Sequence, residues 1–315
     1  MGAELPMEPD VGDGVVGRSS EREILASALA GLPASGRAIL LRGDPGVGKT
    51  TLLECAARQA ATRYRVYRIS GVESEATLPF AALGELLVPL AGYFPALPRA
   101  QQESLEGALA LGARSGPVNP YAVCVAVLNV LSLAGQEQPL VVLVDDLQWV
   151  DPDSLRVFQF LARRIAAEPV VLVAASREHL DARDGIVAVD VGGLPERECH
   201  RILHSRGLDL AAGVFRALLD FSRGNPLVLL EYASRLSAEQ RSGQCPLPRS
   251  PDVGGRAERG WFIRLEALPV PTLLALTVVA AARHATVELL ERAAPDRRHD
   301  PRPRSRGAGS RGRGR

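Results

Sequence analysis

The sequence predicts an α/β fold, a parallel sheet between two layers of helices, followed by a smaller all-helical part. Three observations lead there. Short apolar runs at 38–41, 140–144, 170–174 and 186–189 alternate with stretches of helical period, as strand–helix–strand crossovers do. The runs at 140–144 and 170–174 are apolar throughout, which suits strands buried on both faces. A glycine-rich turn, Gly43 to Thr50, joins the first run to an apolar helix.

Taken in order, residues 1–14 are rich in Pro, Gly and acidic side chains and read as disordered. An α/β core is expected over 15–193. Val15-Val16-Gly17-Arg18 leads into Ser20-x-x-Glu23, a capping box opening a helix with Ile24, Leu25, Ala28 and Leu29 on one face. Ala38–Leu41 is the first strand, and Tyr64–Ile69 alternates as a second. Helices follow at 80–91, 101–112 and 121–133, the last with Asn119 as cap and Pro120 at its first position. Leu140–Val144 is the third strand. Asp151-Pro152 opens a helix carrying Leu155, Phe158, Leu161 and Ile165, and strands at 170–174 and 186–189 complete the sheet. Helices at 195–205, 209–222 and 226–236 form a helical lid over 194–239. A linker spans 240–260, 261–295 is helical, and 296–315 is an Arg/Gly/Pro tail without a large apolar residue.

A hydrophobic fraction of 46% supports a real core. The overall charge is +1, but residues 296–315 carry eight arginines against two aspartates, so the remaining chain is mildly acidic and offers nucleic acid no footprint. The tail is left with two readings, a solvated end or an arm binding nucleic acid nonspecifically. The cysteines, Cys55, Cys124, Cys199 and Cys245, are widely spaced and read as reduced thiols. No signal peptide or membrane-length apolar run is present, so a cytoplasmic protein is expected.

Gly43-Asp44-Pro45-Gly46-Val47-Gly48-Lys49-Thr50 fits G-x-x-x-x-G-K-[ST] at every fixed position, in the strand–loop–helix setting the motif requires. Glycines let backbone N–H groups turn inward around phosphate oxygens, and the helix N-terminus beginning with Lys49, Thr50 and Thr51 adds its positive end. Lys49 would reach the β- and γ-phosphates of ATP and the Thr50 hydroxyl would ligate Mg²⁺. Lys49 is the only lysine of the chain; arginine serves everywhere else. A compact ammonium fits among phosphates where a planar guanidinium does not. The fold class is thus a P-loop NTPase.

Leu140–Asp146 ends in two aspartates, at the strand end that faces the nucleotide crevice of an open α/β sheet. Asp145 is the candidate Mg²⁺ ligand, and Asp146 the group that orients or deprotonates the attacking water. Arg177, at the end of the next strand, is a candidate γ-phosphate sensor, or else a surface arginine paired with Glu178 or Asp181. Cys199, His200 and His204 lack a third-ligand pattern for zinc and read as a solvated helix face. No G-x-S-x-G elbow supports a serine hydrolase.

Together these pieces resemble the N-terminal ATPase module of large LuxR-type transcriptional regulators, a branch of the STAND ATPases related to AAA+ and origin-recognition ATPases. The resemblance spans about residues 15–293. It rests on Val16-Gly17-Arg18, Gly43–Thr50, Glu75-x-x-Leu78-Pro79-Phe80-x-x-Leu83, Asp145-Asp146-Leu147-Gln148-Trp149-x-Asp151-Pro152-x-Ser154-Leu155, Ala175-Ser176-Arg177, Gly224-Asn225-Pro226-Leu227 and Arg264-Leu265-x-x-Leu268-Pro269. It implies that Gly17 and Arg18 lie against the adenosine, that Pro226 contacts adenine from the lid, and that Arg177 is the sensor. It implies that 261–295 begins a winged-helix segment, and that ATP switches self-association while a C-terminal helix-turn-helix binds DNA. The sequence stops about where the winged helix begins, so a truncated regulator is expected. A nonenzymatic protein that holds nucleotide for a partner remains the other expectation.

Overall fold

The computed structural model describes residues 15–111, 119–177, 185–247 and Thr272. All but Thr272 belong to the first of two compact units, Met1–Ala257 and Glu258–Arg315. The expectations for 1–14, for 248–260, for a winged helix at 261–295 and for the tail at 296–315 lie outside the described residues.

Five strands, β1 (Arg37–Arg42), β2 (Arg65–Ser70), β3 (Leu140–Asp145), β4 (Val170–Ser176) and β5 (Ile186–Asp190), form one sheet in the order β2-β3-β4-β1-β5. Every pairing is parallel. Successive side chains of a strand point to opposite faces, and the core divides accordingly. Leu140, Val142, Val144, Val170, Leu172, Ala38 and Leu40 face one hydrophobic cluster, while Val141, Leu143, Val171, Val173, Ile39 and Leu41 face the other. Both clusters exclude water, so β1, β3 and β4 tolerate only apolar residues there; the edge strands β2 and β5 alternate more freely. Burial of each such Leu, Val or Ile contributes about 1.5–3 kcal/mol.

Helices α1 (Ser19–Ala30) and α2 (Lys49–Ala60) cover one face. On the other lie α3 (Ala81–Leu87), α4 (Arg99–Ala108), α5 (Pro120–Glu137) and α6 (Pro152–Ala162). The resulting three layers are the P-loop NTPase fold. After β5, α7 (Glu196–Ser205), α8 (Ala212–Ser222) and α9 (Pro226–Arg235) pack about their own small core of Leu194, Leu203, Phe215, Leu218, Leu229 and Tyr232.

Several local expectations change. The helix over 80–91 is α-helical only to Leu87 and continues as a 3₁₀ helix, Val88–Ala96, because Pro89 and Pro95 lack the amide protons an α-helix needs. The capping box at Ser20 and Glu23 does not form: α1 starts at Ser19 with Arg18 as its cap residue at φ 66°, and no side chain caps it. A capping box does occur at Ser237 and Gln240, opening the short α10 (Ala238–Arg241) across the expected boundary between lid and linker. Leu247 packs back onto the small helical core. Ile165 stands in a separate 3₁₀ turn beyond α6.

Candidate functional site

The glycine-rich loop joins β1 to α2 at the C-terminal edge of the sheet. Gly46 and Gly48 sit at φ +81° and +105°, in the left-handed region that L side chains rarely adopt. A Cβ on Gly48 would meet nothing within 4 Å, so the backbone there borders open space. No side chain caps α2, and its first-turn N–H groups are available to an anion.

The loop carbonyls are all directed elsewhere. Lys49 Nζ donates to Gly43 O at 2.7 Å and Asp44 O at 2.9 Å. Asn225 Nδ2 donates to Pro45 O at 2.9 Å, the Leu227 N–H to Gly46 O at 3.3 Å, and Arg18 Nη2 to Val47 O at 2.8 Å. Five consecutive loop carbonyls therefore each accept a hydrogen bond from a protein donor. The donors at the loop, N–H groups and one ammonium, are of the kind that fits a polyphosphate.

Lys49 is only 7% exposed. Burial, reinforced by the Arg177 guanidinium and opposed by Asp146 and Asp145, lowers its ammonium to a pKa of about 8. Asp145 and Thr50 line one cleft of about 270 Å³, together with Glu54, Arg68, Ser70 and Glu85. These are the two side chains expected to hold Mg²⁺, and they share a wall. Asp145 Oδ1 accepts the Asp146 N–H at 2.8 Å, which helps hold Asp146 at φ 48°.

Arg177, at the end of β4, lies beside Asp146. Its Nη2 lies 3.3 Å from Asp146 Oδ1. Gln148 Nε2 donates to that same oxygen at 2.7 Å, while Gln148 Oε1 accepts the Arg177 N–H at 3.2 Å. Gln148 was visible only as a letter of the D-D-x-Q-W block; that its amide bridges two strand ends depends on β3 and β4 being neighbours.

Other residues of that block are structural. Asp151 is 1% exposed; Oδ1 accepts the Ser154 N–H at 2.9 Å and the Phe80 N–H at 2.8 Å, and Oδ2 accepts the Ala82 N–H at 3.2 Å. Ser154 Oγ accepts the Leu83 N–H at 2.9 Å. Two helix starts, α3 and α6, thus share one carboxylate, which ties the Phe80 segment to D-P-x-S.

Arg18 touches the loop. The Arg18 guanidinium donates to Val47 O, to Gly192 O at 2.6 Å and to Glu21 Oε1 at 3.0 Å, so its fork is occupied by protein groups. Gly17, at φ +69°, packs against Glu198 of α7, whose Cγ would stand 3.0 Å from an added Cβ. Pro226 is the first residue of α9, next to Asn225.

Cys199 is fully buried, its Sγ donating to Leu194 O and its thiol pushed up to about 11 by burial, so the solvated-face reading holds for His200 and His204 but not for Cys199. Among the described residues no three His, Cys, Asp or Glu side chains are grouped to hold a metal ion. A second cavity, about 70 Å³, lies between α6 and the sheet among Leu40, Val144, Leu147, Phe158, Leu172 and Ile186. It is apolar and away from the loop.

Residues 14–173 match the family described as "AAA ATPase domain". This chain belongs to that family. No curated protein sequence matches it. Among solved structures, this AAA ATPase is similar to a STAND protein with a tetratricopeptide repeat sensor from Pyrococcus horikoshii (17% identity, 87% of this chain and 36% of that one, TM-score 0.49). It is also similar to Cdc6p from Pyrobaculum aerophilum (16%, 91% and 81%, TM-score 0.46) and to AMPPCP-bound DnaA from Aquifex aeolicus (17%, 89% and 78%, TM-score 0.45). The chain spans little more than a third of the Pyrococcus protein's length. Among the described residues of this AAA ATPase, no helix is long and apolar enough to cross a membrane.

Proposed function

We propose that the chain is an ATP-binding, slowly hydrolysing switch module of a LuxR-type transcriptional regulator, working in the cytoplasm. The observation that carries this reading is the convergence of Lys49, Asp145, Asp146 and Arg177 on one rim of the uncapped α2 N-terminus. Phosphate oxygens would take the α2 N–H groups and draw Lys49 Nζ from the Gly43 and Asp44 carbonyls. Thr50 and Asp145 would hold Mg²⁺, which when bound neutralises charge on the β- and γ-phosphates. Asp146 would orient the attacking water and accept its proton, and Arg177 would meet the γ-phosphate. Gln148 and Arg177 both engage Asp146 Oδ1, which would hold the carboxylate in place with Oδ2 turned to the water. Pro226 would flank the adenine, with Gly17 and Arg18 on the nucleoside side, the helices over 194–239 serving as the lid.

In this reading the module's output is self-association, and DNA contact belongs to a C-terminal helix-turn-helix. Binding of a fluorescent ATP analogue with Mg²⁺ tests the site: Lys49→Ala should abolish it, and equal affinity in that variant overturns the reading. Asp146→Asn should bind ATP but hydrolyse it more slowly. Sedimentation in ADP against a nonhydrolysable ATP analogue tests the switch; identical mass in both would remove it.

A further inference from the structure

The small helical subdomain completes the phosphate-binding loop. Asn225 has two polar atoms with different tasks. Its Oδ1 caps α9, accepting the Leu227 N–H at 3.1 Å and the Val228 N–H at 3.3 Å, while its Nδ2 donates to Pro45 O at 2.9 Å, 180 residues earlier in the chain. A side-chain amide can accept at a helix N-terminus through its oxygen and donate to a carbonyl through its nitrogen at once. Beside it, the Leu227 N–H reaches Gly46 O, and a Cβ on Gly46 would stand 2.7 Å from Leu227 Cβ, so helix and loop are in direct contact. The subdomain's entry is pinned to the same assembly, since Leu194 N–H donates to Gly224 O at 2.7 Å.

We propose that Asn225 is a positioning residue that makes seating of α9 part of the loop's binding-competent shape. It rests on the ATP-binding reading above. With Pro45 O and Gly46 O held by α9, the N–H groups of the loop stay turned toward the ligand. A phosphate that selects this arrangement tightens α9 onto the loop, and by linkage a seated α9 tightens the phosphate. The loop and the subdomain then act as one two-state element.

Asn225→Asp separates the two atoms. Aspartate caps a helix as well as asparagine does, but a carboxylate cannot donate to Pro45 O and sets oxygen against oxygen. The expected result is a thermal stability reduced less than in Asn225→Ala, with Mg²⁺-ATP bound about tenfold more weakly. Asn225→Ala loses both tasks and should lower stability and affinity together. Unchanged affinity in Asn225→Asp overturns the proposal. A second measurement needs no variant: hydrogen exchange of the wild-type amides at 228–235 should slow on adding Mg²⁺-ATP, and exchange indifferent to bound ATP also overturns it. A wild type that binds no ATP overturns the functional reading instead, so the two failures are told apart.

Discussion

Arg177 Nη2 stands 3.3 Å from Asp146 Oδ1, and Gln148 closes the triangle by donating to that oxygen and accepting from the Arg177 backbone. The amide thereby fixes both the carboxylate and the strand end that carries the guanidinium. Gln148→Ala should leave Mg²⁺-ATP affinity within about twofold and reduce turnover roughly tenfold, about 1.4 kcal/mol of barrier. Steady-state kinetics would show the loss in kcat with KM nearly unchanged. A rise confined to KM would assign Gln148 to binding.

Asp151 belongs to the same sequence block but to a different task. Its buried carboxylate accepts three backbone N–H groups at two helix starts. Asp151→Ala leaves those donors unsatisfied and should destabilise the fold by about 2–4 kcal/mol. Ser154→Ala, which orphans only the Leu83 N–H, should cost about 1 kcal/mol. Urea unfolding of both variants measures the difference, and equal midpoints would contradict the shared-cap arrangement.

Much of this was legible in the sequence because it rests on local pattern. The continuous apolar runs of β3 and β4 have few alternatives to two-sided burial, and Gly43 to Thr50 must turn tightly wherever it occurs. What escaped depends on neighbours distant in sequence. Gln148 acquires its role only because β3 lies beside β4. Asn225 looks like an ordinary cap until the loop carbonyl opposite it is in place. Arg18 reads as a residue before a capping box, yet it takes the cap position in a left-handed conformation, and its side chain is drawn away to Val47 and Gly192.

The depressed Lys49 pKa has a defined sign. In the unfolded chain lysine holds its proton to about 10.5, and in the folded protein only to about 8. Between these values the unfolded state binds more protons, so folding stability contributed by this group rises with pH. Below about 8 the buried ammonium is a cost, on the order of 3 kcal/mol. The Lys49→Met curve should lack this rise, so the difference between the wild-type and variant stability-versus-pH curves should show it. Because phosphate favours the ammonium, ATP affinity should fall as pH climbs through about 8, with proton uptake on binding detectable by calorimetry in buffers of different ionisation enthalpy.

Arg18 gives a final expectation. Its guanidinium joins the loop at Val47, the Gly192 carbonyl beyond β5 and Glu21 of α1, with its side chain only 8% exposed. Arg18→Lys preserves the charge but cannot span three acceptors in one plane. If the fork matters, Arg18→Ala should weaken Mg²⁺-ATP binding roughly tenfold and Arg18→Lys should recover less than half of the lost binding free energy. If charge near the nucleotide were the whole contribution, lysine would restore nearly all of it. Titration of both variants with a fluorescent ATP analogue, at low and high salt, decides between the two, because a hydrogen-bonded fork this buried is screened far less than an exposed charge.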